Sequence, residues 1–333
     1  MEIKGASCLV TGGAGFIGSH LVDRLMGEGC FVTVLDNLST GKLENLRDHE
    51  DNNRFKFILG DITHPLHVAN AMQGIDVVLN LACLGVRHSI KHPFENHRVN
   101  AEGALVVLQE AMRAQVGKFL HCSSSEVYGT ALHVPMPADH PTFPHTVYGA
   151  SKLAGEAYVR AYYKTYGFRT VIIRPFNTYG PRSHHEGDAG EMIPKSIIRA
   201  LNGKSILIFG DGSQTRDYTY VGDTVKGIIA AVKSDDTVGS TYNIGSNCEI
   251  AIRDIAGSIM KMVGNGAARI EYLESRPGDV LRLCSDSSEF CSTAHWEPSV
   301  SFEEGLARTV EWFKARPEEY SLLLDQEVGL NWK

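Results

Sequence analysis

Tyr148 and Lys152 stand four residues apart in Tyr-Gly-Ala-Ser-Lys, so on a helix a phenol and an ammonium share one face about a turn apart. A neighbouring cation lowers a phenol's pKa from about 10 toward working pH. Tyr148 could then take a hydroxyl proton while a hydride leaves the same carbon. Alone, the spacing is common and describes a solvated helix face better. It gains weight from Ser123-Ser124-Ser125-Glu126, which follows an apolar run and so falls where a parallel sheet places its ligand chemistry. A second cluster is Thr11-Gly12-Gly13-Ala14-Gly15-Phe16-Ile17-Gly18. Gly12 permits a tight turn, Gly15 lets backbone N–H groups approach a pyrophosphate at the positive end of a helix, and Gly18 allows close helix-to-strand packing. Asp36 ends the next strand-like run 18 residues after Gly18, where a carboxylate would hydrogen-bond an adenosine ribose. An acidic side chain there repels a 2′-phosphate, and Asn37-Leu38-Ser39 offers no arginine to bind one, so the pattern favours NAD over NADP. Asp61-Ile62 reads either as an adenine contact or as a helix cap.

These residues need a scaffold, and the chain supplies one. Strand-like runs at Ser7–Thr11, Phe31–Leu35, Phe55–Leu59, Val77–Ala82, Lys118–Cys122 and Thr170–Arg174 alternate with helical stretches such as Phe16–Gly27. That alternation specifies an α/β fold, a Rossmann-type doubly wound parallel sheet, because parallel strands need crossover helices. After Pro175 the rhythm breaks into Gly- and Pro-rich loops, with helices at Ile193–Asn202 and Val221–Ala231 and shorter, less regular segments beyond. The expected division is an NAD-binding domain over 1–175, to which the chain returns around 217–248, and a smaller C-terminal α+β substrate domain over 176–333. The formal net charge of -7 excludes a general nucleic-acid binder, which needs surplus cations. Seven scattered cysteines without a Cys-x-x-Cys pair read as reduced core thiols. With no leader-like segment and no long apolar span, a cytoplasmic protein that does not enter the membrane is expected.

The set of motifs resembles the extended short-chain dehydrogenase/reductases of the sugar-nucleotide epimerase/dehydratase group over nearly the whole length. It comprises TGGAGFIG, Asp36-Asn37, SSSEVYG at 123–129, YGASK at 148–152, RPFNTYGPR at 174–182, GDGSQTRDYTYV at 210–221, Arg276-Pro277-Gly278-Asp279 and Trp296-Glu297-Pro298. The resemblance implies a nucleotide-diphosphate sugar as substrate and a retained NAD. It implies Tyr148 as the base at a carbon 4 hydroxyl, Lys152 as the group that binds nicotinamide ribose and depresses the Tyr148 pKa, and Ser124 as the group that orients the hydroxyl. Asn177 would contact the substrate diphosphate, and Arg87, Arg216 and Arg276 are further substrate contacts.

A ketone at carbon 4 acidifies the carbon 5 hydrogen, which leaves epimerisation, 4,6-dehydration or decarboxylation open. Within the resembled group, epimerases usually carry a small residue at position 126, whereas dehydratases and decarboxylases carry Glu, able to act as a base at carbon 5. Ser125 stands where many 4,6-dehydratases have the Asp that protonates the departing hydroxyl, although a GDP-mannose dehydratase branch has a similar Thr-Ser-Glu order. Dehydration ranks first. Epimerisation is second, supported by Asp36-Asn37-Leu38-Ser39-Thr40-Gly41 and Gly85-Val86-Arg87, with decarboxylation third and a silent nucleotide-sugar sensor outside these classes. His184-His185-Glu186-Gly187-Asp188 imitates a metal cluster but reads as a solvated loop, with no metal expected. Tyr158, Tyr162 and Tyr166 recur every four residues as a core stripe on the Tyr148 helix, which in the resembled group helps build a homodimer.

Overall fold

Seven parallel strands form the main sheet of the computed structural model, which describes residues 2–187, 189–275, 280–316 and 320–325. Six come from the first half: β1 (Ser7–Thr11), β2 (Phe31–Asp36), β3 (Phe55–Leu59), β4 (Val77–Asn80), β5 (Lys118–Cys122) and β6 (Thr170–Pro175). Crossover helices join them, chiefly α1 (Phe16–Gly27), α2 (Pro65–Ala71), α3 (Val86–Lys91), α4 (Pro93–His97), α5 (Ala104–Arg113) and α6 (Val147–Tyr166). Beyond β6 the chain makes β7 (Asn177–Tyr179), α7 (Met192–Leu201), β8 (Ile206–Phe209) and β9 (Thr215–Tyr220). It then returns to the main sheet through α8 (Val221–Lys233) and β10 (Thr241–Ile244), which pairs with β6. The order is β10-β6-β5-β4-β1-β2-β3, so the direction of winding reverses between β1 and β4, where ligands of such sheets bind.

The last third adds β11 (Glu249–Ala251), α9 (Ile252–Val263), β12 (Ile270–Leu273), β13 (Arg282–Leu283), α10 (Ser288–Ala294), α11 (Phe302–Lys314) and α12 (Tyr320–Asp325). β9 is the hub of a small sheet, with β7 and β13 parallel and β11 antiparallel to it, and β8 pairs with β12. One apolar cluster packs α1 and α8 on one face of the main sheet, and another packs α2, α5 and α6 on the opposite face. A third binds α7, α9 and α11 together. α9 and α11 are regular helices of 12 and 13 residues, where sequence alone suggested short irregular segments. Phe290 and Trp296 join the α1/α8 cluster, so the chain visits that side once more near its end.

Element ends have local causes. β4 stops at Asn80, short of Ala82, because the N–H groups of Leu81 and Ala82 turn onto the Thr11 hydroxyl at 3.1 and 3.2 Å. α8 continues past Ala231 because the buried Lys118 ammonium donates to the carbonyls of Ala231, Val232 and Ser234 at 2.8, 2.8 and 2.5 Å. Those carbonyls are the helix-end acceptors that otherwise lack partners. The seven cysteines are free thiols, but the expectation of core positions holds only in part. Cys8, Cys30, Cys122 and Cys284 are buried, Cys83 and Cys291 are half-buried, and Cys248 is exposed. Tyr158 and Tyr162 pack on the α2/α5/α6 core, whereas Tyr166 is 61% exposed. No described helix is long and apolar enough to cross a membrane.

Candidate active site

A cavity of about 490 Å³ opens at the C-terminal ends of the main-sheet strands and runs under the second half of the chain. At one end lies the turn from β1 to α1. Gly12 has φ +70°, and a Cβ there would stand 2.8 Å from the Ala82 backbone; a Cβ on Gly18 would meet the Gly12 carbonyl at 2.1 Å. Only glycines allow this close approach of turn, strand and helix. α1 begins at Gly15 without a capping side chain, leaving its first N–H groups directed to the cavity end, a ready anion site.

Asp36 is buried at the end of β2 and accepts from Ala14 N at 3.0 Å and Leu38 N at 2.8 Å. Desolvation lifts its carboxyl above the ordinary value, opposed by those two bonds. Asn37 donates to Asp61 at 3.0 Å, and Asp61 also accepts from the N–H and hydroxyl of Thr63, both at 2.7 Å. Burial would raise Asp61, yet these bonds hold it below its usual range. Asp61 therefore caps the following turn and lines the cavity at once, so the two readings of Asp61-Ile62 do not exclude each other. Lys42, the nearest cation after Asp36 in sequence, pairs with Glu186.

Deeper in the cavity, α6 and the turn after β5 bring Ser124, Ser125, Glu126, Tyr148 and Lys152 together. Ser124 caps this turn by accepting from Glu126 N at 3.2 Å, and its side chain is hydrogen-bonded to Tyr148. Lys152 is buried and donates to the Cys122 carbonyl at 2.6 Å. The expected depression of the Tyr148 pKa is not found. Burial lifts the phenol well above 10, the nearby Cys83, Cys122 and Glu126 add to this, and the Ser124 bond opposes it.

Beneath these groups lies a buried ionic clamp. Glu156, two turns along α6 from Tyr148, takes a bidentate pair from Arg174 of β6 at 2.7 and 2.6 Å and a bond from Ser123 at 2.6 Å. Arg174 also donates to the Tyr128 hydroxyl at 2.7 Å, which donates to Asn243 of β10 at 2.7 Å. Burial opposes the Glu156 charge, but the Arg174 contacts hold the carboxylate below its ordinary pKa. The clamp fixes α6 against β5 and β6, and with them Tyr148 relative to Ser124.

Of the sequence candidates, Gly12, Gly15, Phe16, Ile17, Gly18, Asp36, Asn37, Asp61, Ile62, Arg87, Ser124, Ser125, Glu126, Tyr148, Lys152, Asn177 and Arg216 all line this cavity. Arg276 lies outside the described residues. Arg216 is only 7% exposed, so it is not an ordinary surface arginine. The His184–Asp188 loop is not the solvated segment expected. His185 is buried against Phe313, Glu186 is paired with Lys42, and Asp188 lies outside the described residues. Among the described residues no group of three potential ligands is placed to hold a metal. Sequence reasoning passed over Glu191, which lines the cavity immediately before α7 and is pushed up to about 7 by burial, with Arg87 opposing.

Known proteins share this arrangement. The family model described as GDP-mannose 4,6 dehydratase matches residues 9–309. A UDP-glucose 4-epimerase of Mycolicibacterium smegmatis is 37% identical over 93% of this chain and 99% of its own length. A dTDP-glucose 4,6-dehydratase of Actinoplanes sp. is 34% identical over 92% of this chain and 97% of its own. The crystal structure of the dTDP-glucose 4,6-dehydratase of Streptomyces venezuelae, with NAD bound, superposes with a TM-score of 0.90 at 32% identity over 95% of this chain and 99% of that one. With the glycine turn, the Ser-Tyr-Lys group and this coverage in agreement, the chain belongs to the GDP-mannose 4,6 dehydratase family, the sugar-nucleotide epimerases and dehydratases of the extended short-chain dehydrogenase/reductases.

Proposed function

We propose that the enzyme uses NAD to carry a nucleotide-diphosphate hexose through a 4-keto intermediate, and that the reaction is 4,6-dehydration. The observation that carries the choice is Glu126, a carboxylate lining the same cavity as Ser124 and Tyr148 and close enough to raise the Tyr148 phenol. The glycine turn, the open start of α1 and the Asp36 carboxylate fit a dinucleotide, with Lys152 at its nicotinamide end. Bound NAD would supply the hydride acceptor for carbon 4 and a positive ring that offsets the desolvation of Tyr148. Ser124 holds the carbon 4 hydroxyl, Tyr148 takes its proton, and Glu126 removes the proton from carbon 5 once the ketone has acidified it. Asn177, Arg87, Arg216 and Arg276 would hold the nucleotide diphosphate and sugar.

The test is incubation with UDP-, GDP-, CDP- and dTDP-hexoses in heavy water, followed by mass detection. Loss of one water with deuterium at carbon 5 is expected, and Glu126→Gln should lower turnover at least a hundredfold, the usual share of a general base. A Gln variant as fast as wild type, with its exchange unchanged, would remove the basis for the assignment. Epimerisation is the second reading, favoured by Ser125, a buried alcohol where many 4,6-dehydratases of the resembled group carry an acid; unchanged mass with altered retention would establish it. Loss of carbon dioxide would instead identify a decarboxylase. The partly exposed aromatic end of α6 supports a homodimer, and seven unpaired thiols support a cytoplasmic location.

A further inference from the structure

Leu84 and Gly85 close the segment that leads from β4 into α3, and the second residue of that helix is Arg87. All three line the cavity, so this turn fixes where the Arg87 backbone stands in the wall. Two buried amides hold the turn. Asn96 of α4 donates from Nδ2 to the carbonyls of Leu84 at 3.0 Å and Gly85 at 3.1 Å. Asn100, four residues on, donates to the Leu84 carbonyl at 2.9 Å and to Asn96 Oδ1 at 3.1 Å, and its own Oδ1 accepts from Leu84 N at 2.8 Å. Ser151 Oγ lies 2.8 Å from the Tyr148 carbonyl and 3.3 Å from Asn96 Oδ1, so its single proton is shared between α6 and the amide. Asn96 is fully buried, and both its amide protons and both lone pairs of its Oδ1 are engaged.

An apolar side chain would fill this place without the desolvation cost of an amide, so what Asn96 adds is the set of partners it joins. Those partners are the turn that carries Arg87 and the stretch of α6 between Tyr148 and Lys152. We propose that Asn96 is a positioning residue, which sets Arg87 at a fixed separation from Tyr148 by joining the Leu84–Gly85 turn to Ser151. A sugar nucleotide held by Arg87 then reaches Tyr148 in register, and reacting groups must come within about 3–3.5 Å of each other for a productive encounter. Leucine at position 96 would keep most of the volume but remove both bonds to the turn and the link to Ser151, so Arg87 would lose its fixed place while the glycine turn and Asp36 keep theirs. This inference rests on the reading of Arg87 as a substrate contact. It holds for dehydration and epimerisation alike.

The experiment is a double-mutant cycle between Asn96→Leu and Arg87→Ala. The substrate is whichever of UDP-glucose, UDP-N-acetylglucosamine, GDP-mannose, CDP-glucose and dTDP-glucose the wild type converts, with NAD affinity measured beside it by equilibrium dialysis. Asn96→Leu should lower kcat/KM for the sugar nucleotide about tenfold or more and keep NAD affinity within about threefold of wild type. Added to Arg87→Ala, it should change kcat/KM by no more than about twofold, because the group it positions is already gone. Losses that multiply in the double variant would make Asn96 a structural residue and overturn the proposal. So would a parallel loss of NAD affinity, or an Asn96→Leu enzyme as fast as wild type. Ser151→Ala cuts only the link to α6 and carries the same cycle should Asn96→Leu fail to fold; its loss of about threefold or more should likewise vanish beside Arg87→Ala. An Arg87→Ala enzyme with unchanged kcat/KM overturns the reading of Arg87, and this inference with it, as does a wild type that converts none of these sugars. An impaired Arg87→Ala enzyme beside multiplied losses overturns this inference alone.

Discussion

Asp36 holds its geometry with two backbone N–H bonds, from Ala14 and Leu38, so its carboxylate is aimed before any ligand arrives. A ribose hydroxyl would donate to a charged acceptor, a bond worth about 1.5–3 kcal/mol. Asp36→Asn keeps the shape and removes the charge. It should weaken NAD at least tenfold while leaving NADP less affected, since the repulsion of a 2′-phosphate goes too; equilibrium dialysis of both dinucleotides measures this, and equal loss for both would place the ribose elsewhere. Residues whose role lies in a local string, such as Gly12, Gly18 and Tyr148-x-x-x-Lys152, were legible in the sequence. Glu191 was not. It lies near Arg87, and no spacing rule links positions so far apart. The direction of the Tyr148 shift was hidden for a related reason. Lys152 is visible four residues away, but the desolvation that outweighs it is a property of the closed cavity.

At the level of elements, α6 carries Tyr148 and Lys152 at one end and is tied down by Glu156 further along. Arg174→Met would leave the Glu156 carboxylate buried without its bidentate partner, and removing one member of a buried pair costs about 3–5 kcal/mol. Arg160 reaches the same carboxylate at 2.9 Å, but its side chain is 40% exposed, so Arg160→Met should cost only about 0–1 kcal/mol. Urea unfolding of the two variants measures the contrast, and equal losses would show that the clamp is not the buried Arg174 pair. The strands of the first half were readable because buried parallel strands are continuous apolar runs between turn residues. α9 and α11 were not, because each mixes a narrow apolar face with charged residues, and their partner surfaces come from distant α7. The end of α8 could not be read either, since the ammonium that extends it comes from β5.

Across the whole molecule, His121 gives stability a pH dependence. The imidazole lies in the middle of the main sheet, accepts from the Asn80 side chain on Nδ1 at 3.1 Å, and is pushed down to about 3 by burial, with the Lys152 charge adding to it. The unfolded chain binds a proton at this residue below its ordinary 6.5, and the folded chain does not, so stability falls on acidification between 6.5 and 3. The slope is about 1.4 kcal/mol per pH unit for one such proton. His121→Leu should flatten the urea midpoint against pH over this window, whatever its stability at pH 7. An unchanged slope would mean that another group carries it. Glu156 contributes separately, from its ordinary 4.5 downward: the unfolded carboxylate takes up a proton there while the folded one, held below that value, does not, so stability falls until acid protonates the folded carboxylate too.

The late arrival of β10 has a consequence for how the protein is made. As the chain leaves the ribosome, the first six strands of the main sheet appear before any residue of β8 or β9, and β6 presents an open edge until Thr241–Ile244 emerges to cover it. An uncovered edge strand is a template for pairing with another chain. The nascent protein must therefore carry this exposed edge while it synthesises the wall that closes over the substrate, and the step that seals the edge also delivers Asn243 to the Tyr128–Arg174 clamp. The sheet edge and the clamp beneath Tyr148 are thus finished together, late in synthesis.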